Sequence, residues 1–194
     1  MTRDPLIRLD QDVADFFNAT ATPARNRVMS VISLFGSGAF LGVATALAAL
    51  ILSLKRSWYR LLALLLVVPG GQLINILVKH LIHRHRPVFE HPIATLNSYS
   101  FPSGHTMGAT LFYGMMAVFA WQVLRGWKPR VTAIHCAAVI IALIGFSRIC
   151  LGLHFLSDVL GAMAAGVAWL ALCLTAVETL RRRREGSAGL SPSV

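Results

Sequence analysis

Five long apolar runs, separated by short polar connections, dominate this chain of 194 residues. Each run holds about 20 mostly apolar residues, the length that an α-helix needs to cross the hydrocarbon core of a bilayer. The runs cover residues 28–54, 59–78, 106–124, 131–151 and 157–180. The pattern predicts an all-α fold, an integral membrane helical bundle with about five transmembrane helices.

The two ends of the chain have a different pattern. Before the first run, Val13, Phe16 and Phe17 alternate with three aspartates. This predicts an N-terminal amphipathic helix that lies at the membrane interface, with an arm of no fixed structure as the alternative. Residues 186–194 are polar and rich in Gly and Ser, which predicts a disordered C-terminal tail. A single membrane-embedded domain is therefore expected over residues 1–185.

Composition supports a membrane protein over a soluble one. The chain is 56% hydrophobic and 13% charged, whereas soluble domains carry about 25% charged residues. Its net charge of +10 is placed mainly at the ends of the apolar runs, and no basic helix with interleaved aromatic residues is present. We therefore expect membrane lipids, and no nucleic acid, as partners. The three cysteines lie in separate apolar runs, which favours buried thiols over disulfides.

The basic residues also predict an orientation. The connections 55–60 and 125–130, together with residues 181–184, contain ten Lys and Arg. Five crossings place these three segments on one side, and the positive-inside rule makes that side cytoplasmic. The C-terminus is then cytoplasmic. The N-terminus, the long connection 79–105 and the turn 152–157 are then on the extracytoplasmic, or periplasmic, side.

Three polar motifs lie at the ends of the apolar runs, all on the side predicted to be extracytoplasmic. They are Lys79 with Arg86-Pro87, then Pro102-Ser103-Gly104-His105, then Ser147-Arg148 with His154 and Asp158. A bilayer excludes charged side chains unless they pair with one another or serve a function. The motifs are therefore candidates for one shared functional site.

The cations in these motifs are suited to binding phosphate. Lys79, Arg86 and Arg148 can surround a phosphoryl group, although basic side chains at an interface also reach toward lipid headgroups. For Arg84 both interpretations are equally open. Residues 103–105 begin a predicted helix, whose free N–H groups attract anions, and Gly104 permits a close backbone approach. A simple helix N-cap is the alternative role of Ser103.

His154 and Asp158 are four residues apart, so on a helix they share one face. A carboxylate that accepts the proton of one imidazole nitrogen leaves the other nitrogen as a nucleophile. For Asp158, a helix cap is the alternative.

A second group of histidines is a candidate metal site: His80, His83, His85 and His91. Arg84 and Arg86 alternate with His83 and His85 along the chain. Their positive charges disfavour a divalent cation. Between residues 80 and 91, Glu90 is the only carboxylate that could act as a further ligand. We therefore predict no metal and no other cofactor.

In order and spacing, the three motifs together resemble the signature of the type 2 phosphatidic acid phosphatase family. The matching residues are Lys79-x6-Arg86-Pro87, Pro102-Ser103-Gly104-His105 and Ser147-Arg148-x5-His154-x3-Asp158. All eleven signature residues are present, within residues 79–158. Many members have six membrane helices, whereas five are predicted here.

The resemblance implies a lipid phosphatase that works without a metal. It implies that His154 attacks phosphorus and forms a phosphohistidine, that Asp158 orients His154, and that His105 is the general acid. The residues implied to bind the phosphate are Lys79, Arg86, Ser103, Gly104 and Arg148.

The family also implies a range of substrates, namely a phosphomonoester or diphosphate of an amphiphile such as undecaprenyl diphosphate, phosphatidylglycerophosphate or phosphatidate. The expected location is the bacterial cytoplasmic (inner) membrane, with the site facing outward. A transporter or binding protein for a phosphate lipid is the alternative, and it would leave His105 and the His154–Asp158 pair unexplained. Haloperoxidases use the same kind of site, but the five apolar runs argue against a soluble enzyme. Oligomeric state is left open.

Overall fold

The computed structural model describes residues 4–89, 92 and 98–188. Its regular elements over these residues are all α-helices: α1 (Pro5–Ala19), α2 (Pro23–Leu34), α3 (Gly38–Leu54), α4 (Trp58–Ile82), α5 (Gly104–Val123), α6 (Trp127–Cys150) and α7 (Leu156–Ala188). The prediction of an all-α membrane bundle is confirmed.

Side-chain caps explain where several helices begin. An N-cap side chain accepts a backbone N–H of the first turn in α1, α2, α3 and α5, and the cap residues are Asp4, Thr22, Ser37 and Ser103. Pro5 and Pro23 occupy first helical positions, where a missing N–H costs nothing. The cap at Ser37 starts a new helix inside the first predicted run. Residues 28–54 are therefore divided between α2 and α3 instead of forming one continuous helix.

Four helical stretches are long and apolar enough to cross a membrane: Pro23–Leu54, Trp58–Ile82, Trp127–Cys150 and Leu156–Glu185. The third predicted run forms α5, whose 20 residues span about 30 Å. This helix is less apolar than the four stretches above. It packs against α3, α4, α6 and α7, so less of its surface needs to face lipid. Residues 106–112 of α5 are all buried, so its polar side chains face other helices instead of lipid.

The packed core of the bundle joins α3, α4, α5 and α7. Leu64, Val67 and Leu111 have no exposed surface there. Large apolar side chains also cover the outside, with Leu54 76% and Leu73 68% exposed. An exterior of this kind suits a lipid environment, since soluble proteins rarely expose such continuous apolar surface.

The predicted N-terminal amphipathic helix is present as α1, which packs against α6 and α7. It buries Asp10 and Ala14 against them and exposes Leu6, Ile7 and Phe16. The exposed apolar side chains are of the kind that a membrane interface covers.

At the other end, α7 continues to Ala188, inside the segment 186–194 for which a disordered tail is predicted. Residues 189–194 lie outside the described residues.

Candidate active site

Helix ends and the connections beside them bring the predicted site residues to one end of α5. Lys79 lies in the last turn of α4 and Arg148 in the last turn of α6. His105 lies in the first turn of α5, and Asp158 in the first turn of α7. Lys79, Arg86, Arg148 and His154 all lie close enough to His105 to act on its charge. The three separate sequence motifs therefore converge.

A hydrogen-bonded group fixes one side of the His154 imidazole. Nδ1 of His154 lies 3.6 Å from Oδ2 of Asp158. The Ser100 hydroxyl donates to the same carboxylate oxygen at 2.5 Å, and its oxygen lies 3.4 Å from Nδ1. On the other side of the ring, Nε2 lies 3.2 Å from Nη1 of Arg86. The imidazole thus presents one nitrogen to the carboxylate and the other to a cation.

Asp158 combines both roles that the sequence allows. Its Oδ2 accepts the N–H of Phe155 at 2.9 Å, as a carboxylate in the third position of a helix does when it caps the residue before the helix. The same oxygen faces His154. The hydrogen bond that caps the helix fixes the position of the Asp158 carboxylate. It therefore also helps to hold this carboxylate next to His154.

Burial sets the protonation state of His154, which is 2% exposed. Burial lowers the pKa of His154 to about 4, and this outweighs the hydrogen bond with Asp158, which acts in the opposite direction. The imidazole is therefore neutral near pH 7. A neutral imidazole keeps the lone pair that a nucleophile needs.

Backbone carbonyl groups of residues 98–100 hold two of the cations. Arg86 donates to the carbonyl oxygen of Ser98 at 2.7 Å and to that of Tyr99 at 3.2 Å. Lys79 donates to the carbonyl oxygen of Tyr99 at 2.7 Å. Burial lowers the pKa of the Arg86 guanidinium, and the charge of Asp158 opposes this change. Because carbonyl groups orient these cations without neutralising them, their positive charge remains available to an anion.

Arg148 points into the protein and is 4% exposed. Its Nη1 donates to the Ser33 hydroxyl at 2.5 Å, while its buried Nε has no hydrogen-bond partner among the described residues. A buried guanidinium N–H without an acceptor is costly, and an anion bound beside it would remove that cost. This position disagrees with the alternative that Arg148 reaches outward to lipid headgroups.

The start of α5 supplies backbone donors. Ser103 acts as the N-cap, since its hydroxyl oxygen accepts the N–H of Thr106 at 3.4 Å and the hydroxyl of Thr106 at 2.9 Å. Its own proton is left to donate. The first N–H groups of an α-helix have no carbonyl partner within the helix, which makes those of Gly104 and His105 potential anion donors. A Cβ added to Gly104 would lie in ordinary contact distance, 3.4 Å, of the side-chain oxygen of Asn75.

A cavity of about 260 Å³ opens beside His105 and Arg148. Its other lining residues come mainly from the break between α2 and α3: Ser30, Ser33, Leu34, Ser37, Leu151 and Leu153. The general-acid candidate His105 and the buried cation Arg148 therefore line one cavity.

Two contributors to the site, Ser100 and Asp10, are absent from the sequence-based prediction, and the sequence predicts for a third, Arg84, only contact with phosphate or with lipid headgroups. Arg84 donates to Oδ1 of Asp158 at 2.6 Å and to Oδ2 of Asp10 at 2.7 Å. These contacts link residues 74 positions apart, which no local pattern reveals. Ser100 has no helical spacing to either of its partners, and thus its role also depends on the folded chain.

Residues 38–182 match the PAP2 superfamily over most of the chain. The chain belongs to the PAP2 superfamily. Over 165 residues it is 34% identical to phosphatidylglycerophosphatase B of Bacillus subtilis (strain 168), covering 84% of this chain and 80% of that protein. The family membership that the three motifs predict is confirmed. The chain is therefore a phosphatase rather than a transporter.

Two solved structures have the same fold as this PAP2 phosphatase. One is the transmembrane PAP2-type phosphatidylglycerolphosphate phosphatase of Bacillus subtilis, with a TM-score of 0.82, 31% identity and coverage of 91% of this chain and 89% of that chain. The other is LpxE of Aquifex aeolicus, with a TM-score of 0.64 and 19% identity, covering 86% and 95% of the two chains. At that identity, LpxE shows the fold alone.

The histidines after α4 in this PAP2 phosphatase make other contacts. The His80 ring lies 2.8 Å from the carbonyl oxygen of Ile76, and the ring of His83 packs edge-on against Tyr99. Within residues 4–89, 92 and 98–188, no group of three His, Cys, Asp or Glu is arranged to hold a metal ion. His91 and Glu90 lie outside the described residues. A reaction without a metal stays a prediction.

Proposed function

We propose that this PAP2 phosphatase removes a phosphoryl group from an amphiphilic lipid phosphate through a phosphohistidine on His154. The observation that carries the proposal is the meeting of a neutral imidazole, which faces the Asp158 carboxylate, with Lys79, Arg86 and Arg148. The site lies at the ends of helices that are apolar enough to cross a membrane. A lipid phosphate at headgroup level is the substrate that fits such a position.

In the first step, Nε2 of His154 attacks phosphorus, a new P–N bond forms, and the bond from phosphorus to the leaving oxygen breaks. Ser100 and Asp158 hold Nδ1, so that Nε2 is the nitrogen presented to the substrate. The negative charge of Asp158 stabilises the positive charge that the ring acquires.

The phosphoryl oxygens are bound by Lys79, Arg86, Arg148, Ser103 and the Gly104 amide. Three of these groups carry a positive charge, and the start of α5 adds backbone N–H donors. Because the protein already holds the cations in place before the substrate arrives, they stabilise the developing charge without a large rearrangement.

The negative charge of the bound phosphate favours the protonated form of His105, which donates its proton to the leaving oxygen. This oxygen departs as part of an alcohol or a phosphate. The cavity beside His105 is the space for the leaving group. Water then attacks the phosphohistidine, and His105 takes a proton from that water. The P–N bond breaks and inorganic phosphate is released, which regenerates neutral His154.

Phosphatidylglycerophosphate is the first proposed substrate. The name of the 34% identical Bacillus subtilis relative gives this lipid as the substrate of that protein. Phosphatidate and undecaprenyl diphosphate have the same phosphoryl chemistry and stay within the proposal.

The proposed membrane position is the bacterial inner membrane, with the site on the outer face and the C-terminus in the cytoplasm. Support comes from the ten Lys and Arg at the opposite ends of the helices. A reporter fused after Arg184 tests this orientation. Alkaline phosphatase activity from that fusion in the periplasm would contradict it.

The activity is tested with purified protein in nanodiscs, given each of the three lipid phosphates in the presence of EDTA. We expect release of inorganic phosphate from at least one lipid, and none from the His154→Ala variant. The proposal fails if the folded wild-type protein releases no phosphate from any of them, or if release requires an added divalent cation.

A further inference from the structure

Asp10 in α1 is a buried carboxylate that the proposed reaction does not use. It is 1% exposed. Its Oδ1 accepts the N–H of Ser157 at 2.9 Å, and its Oδ2 accepts both the Ser157 hydroxyl and Nη2 of Arg84. A charged carboxylate is costly to bury, and these donors offset that cost. The N-terminal helix is thus attached to Ser157 in the first turn of α7, one position before Asp158.

Arg84 connects Asp10 to the catalytic pair. Its planar guanidinium places Nη2 on Asp10 at 2.7 Å and Nη1 on Asp158 at 2.6 Å. Nη1 also donates to the Ser157 hydroxyl at 2.7 Å, and the guanidinium stacks over the Phe155 ring at 4.5 Å. A guanidinium with this many contacts has a fixed orientation.

The contact with Arg84 restrains the Asp158 carboxylate. Oδ1 of Asp158 is bound by Arg84, while Oδ2 is bound by Ser100 and by the N–H of Phe155. Each carboxylate oxygen therefore has its own donor. The plane of the carboxylate, and with it the position of His154, depends on Arg84 remaining in place.

Charge gives Asp10 a second effect. Arg84 and Asp158 alone form an ion pair with no net charge. With Asp10 on the other side of Arg84, the group of three has a net charge of −1. In a buried site this negative charge favours the positive charge that His154 acquires when it bonds to phosphorus.

We propose that Asp10 is a positioning residue, and that α1 contributes to catalysis through the relay Asp10–Arg84–Asp158. This inference rests on the proposed function, in which His154 and Asp158 are the reacting pair. Because Asp10 touches neither His154 nor the phosphate-binding cations, its loss should slow the chemical step and leave substrate binding intact.

The test is a double-mutant cycle with Asp10→Asn, Arg84→Gln and both changes together, measured in nanodiscs on phosphatidylglycerophosphate and on a water-soluble aryl phosphate. Asp10→Asn should lower kcat by about tenfold or more, with KM within about twofold of wild type. If Asp10 acts through Arg84, Asp10→Asn should cause little further loss in the Arg84→Gln background. Asp12→Asn is the matched control on the exposed side of the same helix and should leave kcat unchanged.

Three results would overturn the inference: a folded Asp10→Asn protein with the kcat of wild type, a change confined to KM, or equal losses in the wild-type and Arg84→Gln backgrounds. If Asp10→Asn does not fold, Asp10→Glu replaces it. This variant keeps the charge but displaces the carboxylate, and it should lower kcat, whereas an unchanged kcat would contradict the relay. Failure of the proposed function looks different, because the wild-type protein would then release no phosphate or would need a divalent cation, or His154→Ala would remain active.

Discussion

Nε2 of His154 lies 3.2 Å from Nη1 of Arg86, on the side of the ring opposite Asp158. Arg86 also donates to Ser98 and Tyr99, so its guanidinium is held in one plane next to the predicted point of attack. A lysine there would keep the charge and lose the planar set of donors. We expect Arg86→Lys to lower kcat/KM by about 100-fold, measured as phosphate release.

The control for Arg86→Lys is Arg125→Lys. Arg125 is exposed in the connection between α5 and α6, at the other end of the bundle. The same chemical change there should leave kcat/KM at the wild-type value. Equal kcat/KM in the two variants would show that the planar contacts of Arg86 are not used.

The Ser100 hydroxyl bridges Asp158 and His154. Ser100→Ala removes this bridge from a fully buried carboxylate and frees the imidazole to turn. We expect kcat to fall by about tenfold with little change in KM, in steady-state assays on a lipid phosphate. Ser57→Ala at the start of α4 is the matched control. A Ser100→Ala enzyme with full kcat would exclude a positioning role for this hydroxyl.

The low pKa of His154 has a consequence for stability. In the unfolded chain a histidine binds a proton near pH 6.5, whereas the folded protein holds the pKa of His154 at about 4. Between these values the unfolded state binds more protons, so stability decreases as pH falls from 6.5 toward 4 and is unaffected above that window. We expect Tm to drop more steeply over this window for wild type than for His154→Ala. Parallel Tm curves would contradict the assignment of a low pKa.

Two helical glycines test the packing of the bundle. A Cβ at Gly166 in α7 would lie 2.8 Å from Cγ2 and 2.9 Å from Cβ of Thr110, a buried residue of α5. A Cβ at Gly42 in α3 would meet nothing within 4 Å. Alanine is favoured over glycine in a helix by up to about 1 kcal/mol. We expect Gly42→Ala to raise Tm or leave it unchanged, and Gly166→Ala to lower it. A higher Tm for Gly166→Ala would show that α5 and α7 pack less closely than described.

Apolar length predicts the helices well because membrane-spanning segments must satisfy their backbone hydrogen bonds internally. It does not predict the break at Ser37, where a serine cap starts α3 within an otherwise continuous apolar run. Apolar length also does not reveal that α5 is surrounded by other helices. This enclosure permits α5 a lower hydropathy than the helices that face lipid. Enclosure depends on how the helices are arranged in three dimensions.

The three motifs predict eight site residues. The fold brings them together because three helix ends and their connections meet beside α5. The supporting contacts of Ser100, Arg84 and Asp10 have no comparable signal. Their contacts depend on the path of the connection after α4 and on the docking of α1, which bring together residues between 54 and 147 positions apart. Supporting contacts of this kind have no fixed sequence spacing, so only the folded chain identifies them.

The proposed reaction requires that His154 become phosphorylated during turnover. The most direct measurement is to stop the reaction with alkali, which preserves phosphohistidine, and to locate phosphate on the digested protein by mass spectrometry. Phosphate on the peptide that contains His154, absent from His154→Ala, is the predicted result. Continued turnover with no phosphate on His154 under the same conditions would exclude a phosphohistidine intermediate.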